Sequence, residues 1–193
     1  MFVWGSNDYF APTVKNPLRY LPAKSGITRP HQHKLPWEDL GRVFTERGWV
    51  DLTHERAVLE VHGVRLGFRG TDDAHLGRDH YAEVAGPIDR DLVDVAIGVT
   101  HAPYRRVLDA MTYDGHDLIL AGHTHGGQVC VPAVGALVTN CDLDPARAKG
   151  LSSHTAAGQT ARLHVSAGLG TSPFAPIRFA CPPEATLLTL TAS

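Results

Sequence analysis

Histidine is the side chain most able to do chemistry in this sequence, with twelve in 193 residues. Imidazole ligates metals and titrates near neutrality. Two short segments concentrate it. Thr100-His101-Ala102-Pro103 follows one apolar run, and Gly122-His123-Thr124-His125-Gly126-Gly127 follows another. His123 and His125 are two apart, a spacing that turns both rings to one side in extended backbone and splays them in a helix. The flanking glycines let the chain turn tightly and approach a ligand. His101, His123 and His125 are therefore candidates to converge on one metal ion. A third apolar run ends in Gly5-Ser6-Asn7-Asp8, which offers the Asn7 amide and a carboxylate to the same place.

The elements that must position these residues are legible around them. Leu92 to Val99 is almost continuously apolar and predicts a strand buried on both faces. Pro103 then opens a helix with Tyr104, Val107, Leu108 and Met111 on one stripe, and Gly115 ends it. Asp117 to Ala121 is a second short strand. Such a βαβ unit makes its strands parallel neighbours. Both histidine segments then lie at the carboxyl end of the strands, where open α/β sheets bind ligands. Elsewhere, Phe2 to Trp4 predicts a strand, and Pro36, Trp37, Leu40, Val43, Phe44 and Gly48 predict a helix. Ala57 to Val61 and Val64 to Phe68 predict a hairpin turning at His62-Gly63. Residues 11–36 form a long exposed Pro-rich loop, Gly70 to His80 a loop, and 137–140, 161–167 and 185–190 short strands. The fold class is α/β with a mixed sheet.

Most of the remaining histidines read as ordinary. His31-Gln32-His33 repeats the spacing, but Arg29 and Lys34 beside it oppose a cation. His75 and His80 flank an acidic loop and could bind metal, but that loop precedes no strand edge evident in the sequence; Asp72-Asp73 reads as turn chemistry, with lining the site as the alternative. His54, His62, His116, His154 and His164 read as structural. A net charge of −2 without any block of like charge gives no support to a nucleic-acid partner. Cys130, Cys141 and Cys181, odd in number and without a CxxC, fit reduced thiols in a cytoplasmic protein. No segment approaches the roughly 18 apolar residues of a membrane span. Met1 opens directly onto an apolar run, where domains usually begin with polar residues, which suggests sequence upstream.

Thr100-His101-Ala102-Pro103 together with Ala121-Gly122-His123-Thr124-His125-Gly126-Gly127-Gln128 resembles the back half of the calcineurin-like metallophosphoesterase signature. Gly5-Ser6-Asn7-Asp8-Tyr9 is similar to that family's Gly-Asn-His-Asp/Glu block. The hairpin followed by Gly70-Thr71-Asp72-Asp73, and Gly168-Leu169-Gly170-Thr171-Ser172 with Pro182-Pro183-Glu184, resemble its bacterial branch of small phosphodiesterase-like members. The resemblance runs from Phe2 almost to the C-terminus and implies a single domain over 1–193, part of an α-β-β-α sandwich with mixed sheets. It implies a metal-dependent phosphodiesterase or phosphatase, in which two divalent ions (Mn, Fe or Zn) hold the hydroxide that attacks phosphorus. The implied substrate is a phosphorylated small molecule or lipid-type compound. His101 and His123, with the amide of the Asn block, would bind one ion, and His125 the other.

Two departures bear on that expectation. The family's Asp-x-His and Gly-Asp-x-x-Asp blocks are absent, so the chain reads as an N-terminally truncated domain without its first βαβ portion. Three histidines and Asn7 suit one zinc-like ion better than a pair, because hard ions at phosphoryl sites want carboxylates. In addition, Ser6-Asn7 replaces Asn-His: Ser6 takes the ligand position and Asn7 that of the leaving-group acid, unless a small loop shift makes Asn7 the ligand. Without the usual acid, substrates whose leaving group needs little protonation are favoured. The alternatives are an inactive remnant holding one metal or none, and a mononuclear zinc hydrolase built on the three histidines.

Overall fold

A computed structural model describes residues 1–11, 33–172 and 177–191. Most of the expected 11–36 loop, His31 and Gln32 included, lies outside the described residues. In chain order the elements are α1 (Ser6–Tyr9), α2 (Trp37–Glu46), β1 (Arg56–Val61), β2 (Val64–Thr71), β3 (Val95–Thr100), α3 (Arg105–Asp114), β4 (Leu118–Ala121), β5 (Cys130–Val131), β6 (Gly135–Ala136), β7 (Gly150–Ala156) and β8 (Gln159–Val165). The architecture is mixed α/β. One six-stranded sheet has the order β1-β2-β3-β4-β8-β7, and β5 and β6 form a separate two-stranded pair. β2, β3, β4 and β8 are parallel, and antiparallel β1 and β7 close the two edges.

The βαβ unit forms as its sequence predicts. Val107, Leu108 and Met111 of α3 pack over Ile119, Ala161, Leu163 and Val165 of the sheet. Leu108, Met111 and Leu163 are fully buried, each contributing about 1.5–3 kcal/mol by leaving water. The helix sits close because β3 carries Gly98 under it: a Cβ there would lie 2.6 Å from Met111 Sδ. Gly115 ends α3 at φ +96°, the left-handed cap that glycine supplies. The β1–β2 hairpin turns at His62-Gly63 with φ +51° and +79°, and pairs Val61 with Val64.

Several expectations are corrected. β3 starts at Val95 rather than Leu92, which is 61% exposed, because Asp94 leaves the strand line to pair with Arg65. Burial on both faces holds at its centre, where Ala96, Ile97 and Gly98 are buried and Gly98 meets Met111 of α3, while Val95 and Val99 are half-buried. Phe2 makes one isolated bridge to Asp51 instead of a strand. Residues 137–140 and 185–190 form no strand, and Leu187 is 92% exposed. β7 was not expected; it pairs with β8 through a tight turn at Ala157-Gly158. β2 runs on past Phe68 to Thr71, which changes where the following loop begins. No described helix is long and apolar enough to cross a membrane.

Candidate metal centre

Parallel pairing fixes the edge at which the candidate residues meet. Thr71 of β2 is opposite Thr100 of β3, and β4 ends at Ala121 opposite Val165 of β8. The segments leaving these four ends are 72–76, 101–104, 122–128 and 166–170, so all crowd one carboxyl-end crevice. His101 and His123 come together there, with His123 Nδ1 3.3 Å from His101 Nε2. Two ligands about 2.0–2.1 Å from a tetrahedral zinc stand about 3.3 Å apart. The other nitrogen of His123, Nε2, is 3.2 Å from the Asn140 carbonyl and must donate to it, which leaves the lone pair on Nδ1 facing His101. A backbone carbonyl orienting the distal N–H is how proteins commonly fix the tautomer of a ligating histidine.

Electrostatics keep these rings unprotonated. Both retain some exposed area, yet protein atoms surround them closely enough for desolvation to dominate. Burial, with His125 nearby, lowers His101 to about 4 against the attraction of Asp8 and Asp72. His123 is pushed well below its ordinary value, first by burial and then by the neighbouring His101 and His75. His125 is lowered mainly by burial, but its Nδ1 turns to the Gly170 carbonyl at 3.2 Å. The His101–His123 pair is thus preformed, and His125 stands beside it. His123, His125 and Gln128 all hold positive φ (+67°, +52° and +56°), a strained conformation that non-glycine residues keep only where surrounding structure imposes it.

The N-terminal turn contributes differently from the sequence expectation. Gly5 packs against the His101 ring, so that a Cβ there would stand 2.5 Å from Nδ1. In α1 Ser6, at 5% exposed, and Tyr9 are buried, whereas Asn7 is exposed. The turn therefore directs Ser6 inward and leaves Asn7, expected as ligand or as the leaving-group acid's replacement, on the solvent side.

Three residues that the sequence supports only as secondary candidates join the crevice. The His75 ring lies 4.6 Å from that of His123 and is held by Tyr104, whose hydroxyl is 3.0 Å from Nδ1. Asp72 is fully engaged by the Tyr9 hydroxyl, Arg78 and the Asp73 amide. Asp73 is fully buried; its Oδ1 accepts from the His75 amide, but no donor reaches Oδ2. Burial raises its carboxyl to about 6, against the His75 amide, the His75 ring and the adjacent Ser6 hydroxyl. A buried, unpartnered carboxylate oxygen near neutral imidazoles suits a cation. The sequence signal for these residues was the extension Arg69-Gly70-Thr71 of β2, which delivers Asp72 to His75 beside His101.

No family model matches this sequence, and no solved structure matches it. A curated protein of Bacillus subtilis (strain 168), described as "Uncharacterized protein YpbG", is 28% identical over 129 residues. That stretch is 67% of this chain and 39% of the relative, so the chain matches well under half of the relative's length.

Proposed function

We propose that this chain is a metal-dependent phosphoester hydrolase of calcineurin-like type, a phosphodiesterase or phosphatase, carrying the back half of that site. The observation that supports it is the approach of two neutral imidazoles, His101 and His123, from adjacent parallel strand ends with ring nitrogens 3.3 Å apart. His101 and His123 would hold a divalent ion (Mn, Fe or Zn), with Ser6 on the N-terminal side and His125 toward a second position. A bound ion supplies a hydroxide near neutral pH and neutralises charge on phosphoryl oxygens. The chain's own part is to orient: Asn140 fixes the His123 tautomer, Gly5 buttresses the His101 ring, and α3 and β4 hold both against the core. Because Asn7 stands where the resemblance expects the acid histidine, and an amide does not titrate, substrates with good leaving groups are favoured.

Among the described residues, no third histidine, cysteine or carboxylate places a ligand atom within 4.8 Å of both members of the His101–His123 pair. That geometry favours, as second reading, a chain that holds a single ion there and does not turn over. Both readings are tested by metal analysis and by hydrolysis of an activated phosphodiester with Mn²⁺, Fe²⁺ or Zn²⁺. Turnover that His123→Ala reduces at least about 100-fold supports the hydrolase. One ion that His123→Ala abolishes, without turnover, selects the second reading, and absence of turnover together with absence of any ion lost in His123→Ala sinks both.

A further inference from the structure

A second histidine cluster lies away from the strand-end pair. His54 occupies the turn before β1, His80 caps the short 3₁₀ turn Tyr81–Glu83, and Glu83 is that turn's last residue. The His54 and His80 rings stack with centroids 5.4 Å apart and planes 11° from parallel. Both turn Nδ1 to one carboxylate: His80 Nδ1 is 3.4 Å from Glu83 Oε1, and His54 Nδ1 is 3.8 Å from Glu83 Oε2. One ligand atom from each residue falls within 4.8 Å of the other two. For two ligands of one tetrahedral zinc the separation is about 3.3 Å, close to both imidazole–carboxylate distances.

The far side of the His54 ring is held by the backbone: Nε2 stands 3.0 Å from the Arg78 carbonyl and 3.3 Å from the Asp72 amide, which donates toward it, so that Nδ1 faces Glu83. His54 also holds φ +57°, a strained value for a residue with a side chain. Both imidazoles line a cleft of about 330 Å³ that Trp4, Tyr9, Trp37 and Arg78 complete.

We infer that His54, His80 and Glu83 form a second metal site, taking one zinc-type divalent ion through two imidazole nitrogens and a carboxylate, with its open position toward the aromatic cleft. Two histidines and one glutamate are a donor set that zinc accepts while keeping a fourth position free. The ion ties the turn before β1 to the loop after β2 and so fixes one wall of the cleft. Nothing in this site draws on His101 or His123.

The test is titration of the tag-free chain with Zn²⁺ alone, by calorimetry and by competition with a chromogenic chelator. The expected result is about one equivalent bound in His123→Ala, where the strand-end pair is broken. His80→Ala and Glu83→Gln, both at exposed positions, should each weaken that equivalent at least about tenfold. His54→Ala should do the same while circular dichroism stays that of the parent. The inference is overturned if His123→Ala binds no zinc, or if its affinity is unchanged by adding His80→Ala or Glu83→Gln.

Discussion

The two histidine clusters place the same ligand in opposite surroundings. His101 and His123 leave the ends of parallel strands that are packed under α3, and the backbone, not a carboxylate, sets their geometry. His54 and His80 sit on turns around an exposed glutamate, with side-chain exposures of 17%, 66% and 57% for His54, His80 and Glu83. Burial keeps the first pair neutral and ready to bind, but makes it part of the fold. The second cluster draws on a charge that water screens, so binding there can be altered with little effect on folding. Protonation, packing and ligand chemistry should therefore separate in the two places, and three experiments probe that separation.

The largest effect is expected from pH, read at a buried histidine remote from either cluster. His116 is 2% exposed, its Nδ1 donates to the Met111 carbonyl at 2.8 Å, and its Nε2 is buried without a partner. Burial lowers it from 6.5 to about 4. The unfolded chain thus takes up a proton between these values while the folded chain does not, and stability must fall as pH drops. The stabilisation is complete above about 6.5 and is lost progressively down to about 4, amounting to about 3 kcal/mol. Urea denaturation across this range should trace that loss, and His116→Gln, which cannot titrate, should flatten much of it. An unchanged profile in the variant would mean that burial alone does not hold the core histidines neutral.

Next comes the wedge between Gly5 and His101. With φ −123°, Gly5 occupies a conformation open to alanine, so the cost of Gly5→Ala is purely steric. The added Cβ stands 2.5 Å from Nδ1 and 2.8 Å from Nε2 of His101, and the ring must move. A loss of about 1–3 kcal/mol is expected, with weaker metal binding at the strand-end pair and unchanged binding at His54 and His80. Gly170→Ala, where an added Cβ meets nothing within 4 Å, is the control and should leave both unchanged.

The contrast between clusters also explains what the sequence could convey. The βαβ unit, the His62-Gly63 hairpin and the edge carrying His101 and His123 were readable because periodicity, Pro103, Gly115 and the X-Gly turn are local signals. Asp73 and His75 stayed secondary candidates, because their place depends on β2 reaching Thr71 and pairing in parallel with β3, a long-range register that alternation cannot report. For the same reason, Asn7 looked the better ligand by chemistry, while α1 turns it outward. The 185–190 run has the alternation of a strand, yet no partner pairs with it among the described residues. His54 and His80 are 26 positions apart and carry no motif; only the fold joins them to Glu83.

The smallest effect tests the claim that the exposed cluster is independent of folding. In chelator, the Glu83 side chain is mostly in water, and its ion-pair partners among the described residues are two imidazoles, at 3.4 and 3.8 Å. Its backbone amide, which bonds to the His80 carbonyl at 3.0 Å, is unaffected by side-chain change. Glu83→Gln removes the charge and keeps the shape, so its stability should match the parent within about 0.5 kcal/mol. Equilibrium denaturation of both proteins in the presence of chelator measures this directly. A loss well above that figure would mean that the carboxylate holds the two turns together without any ion. The distinction between a cluster built into the fold and one resting on its surface would then disappear.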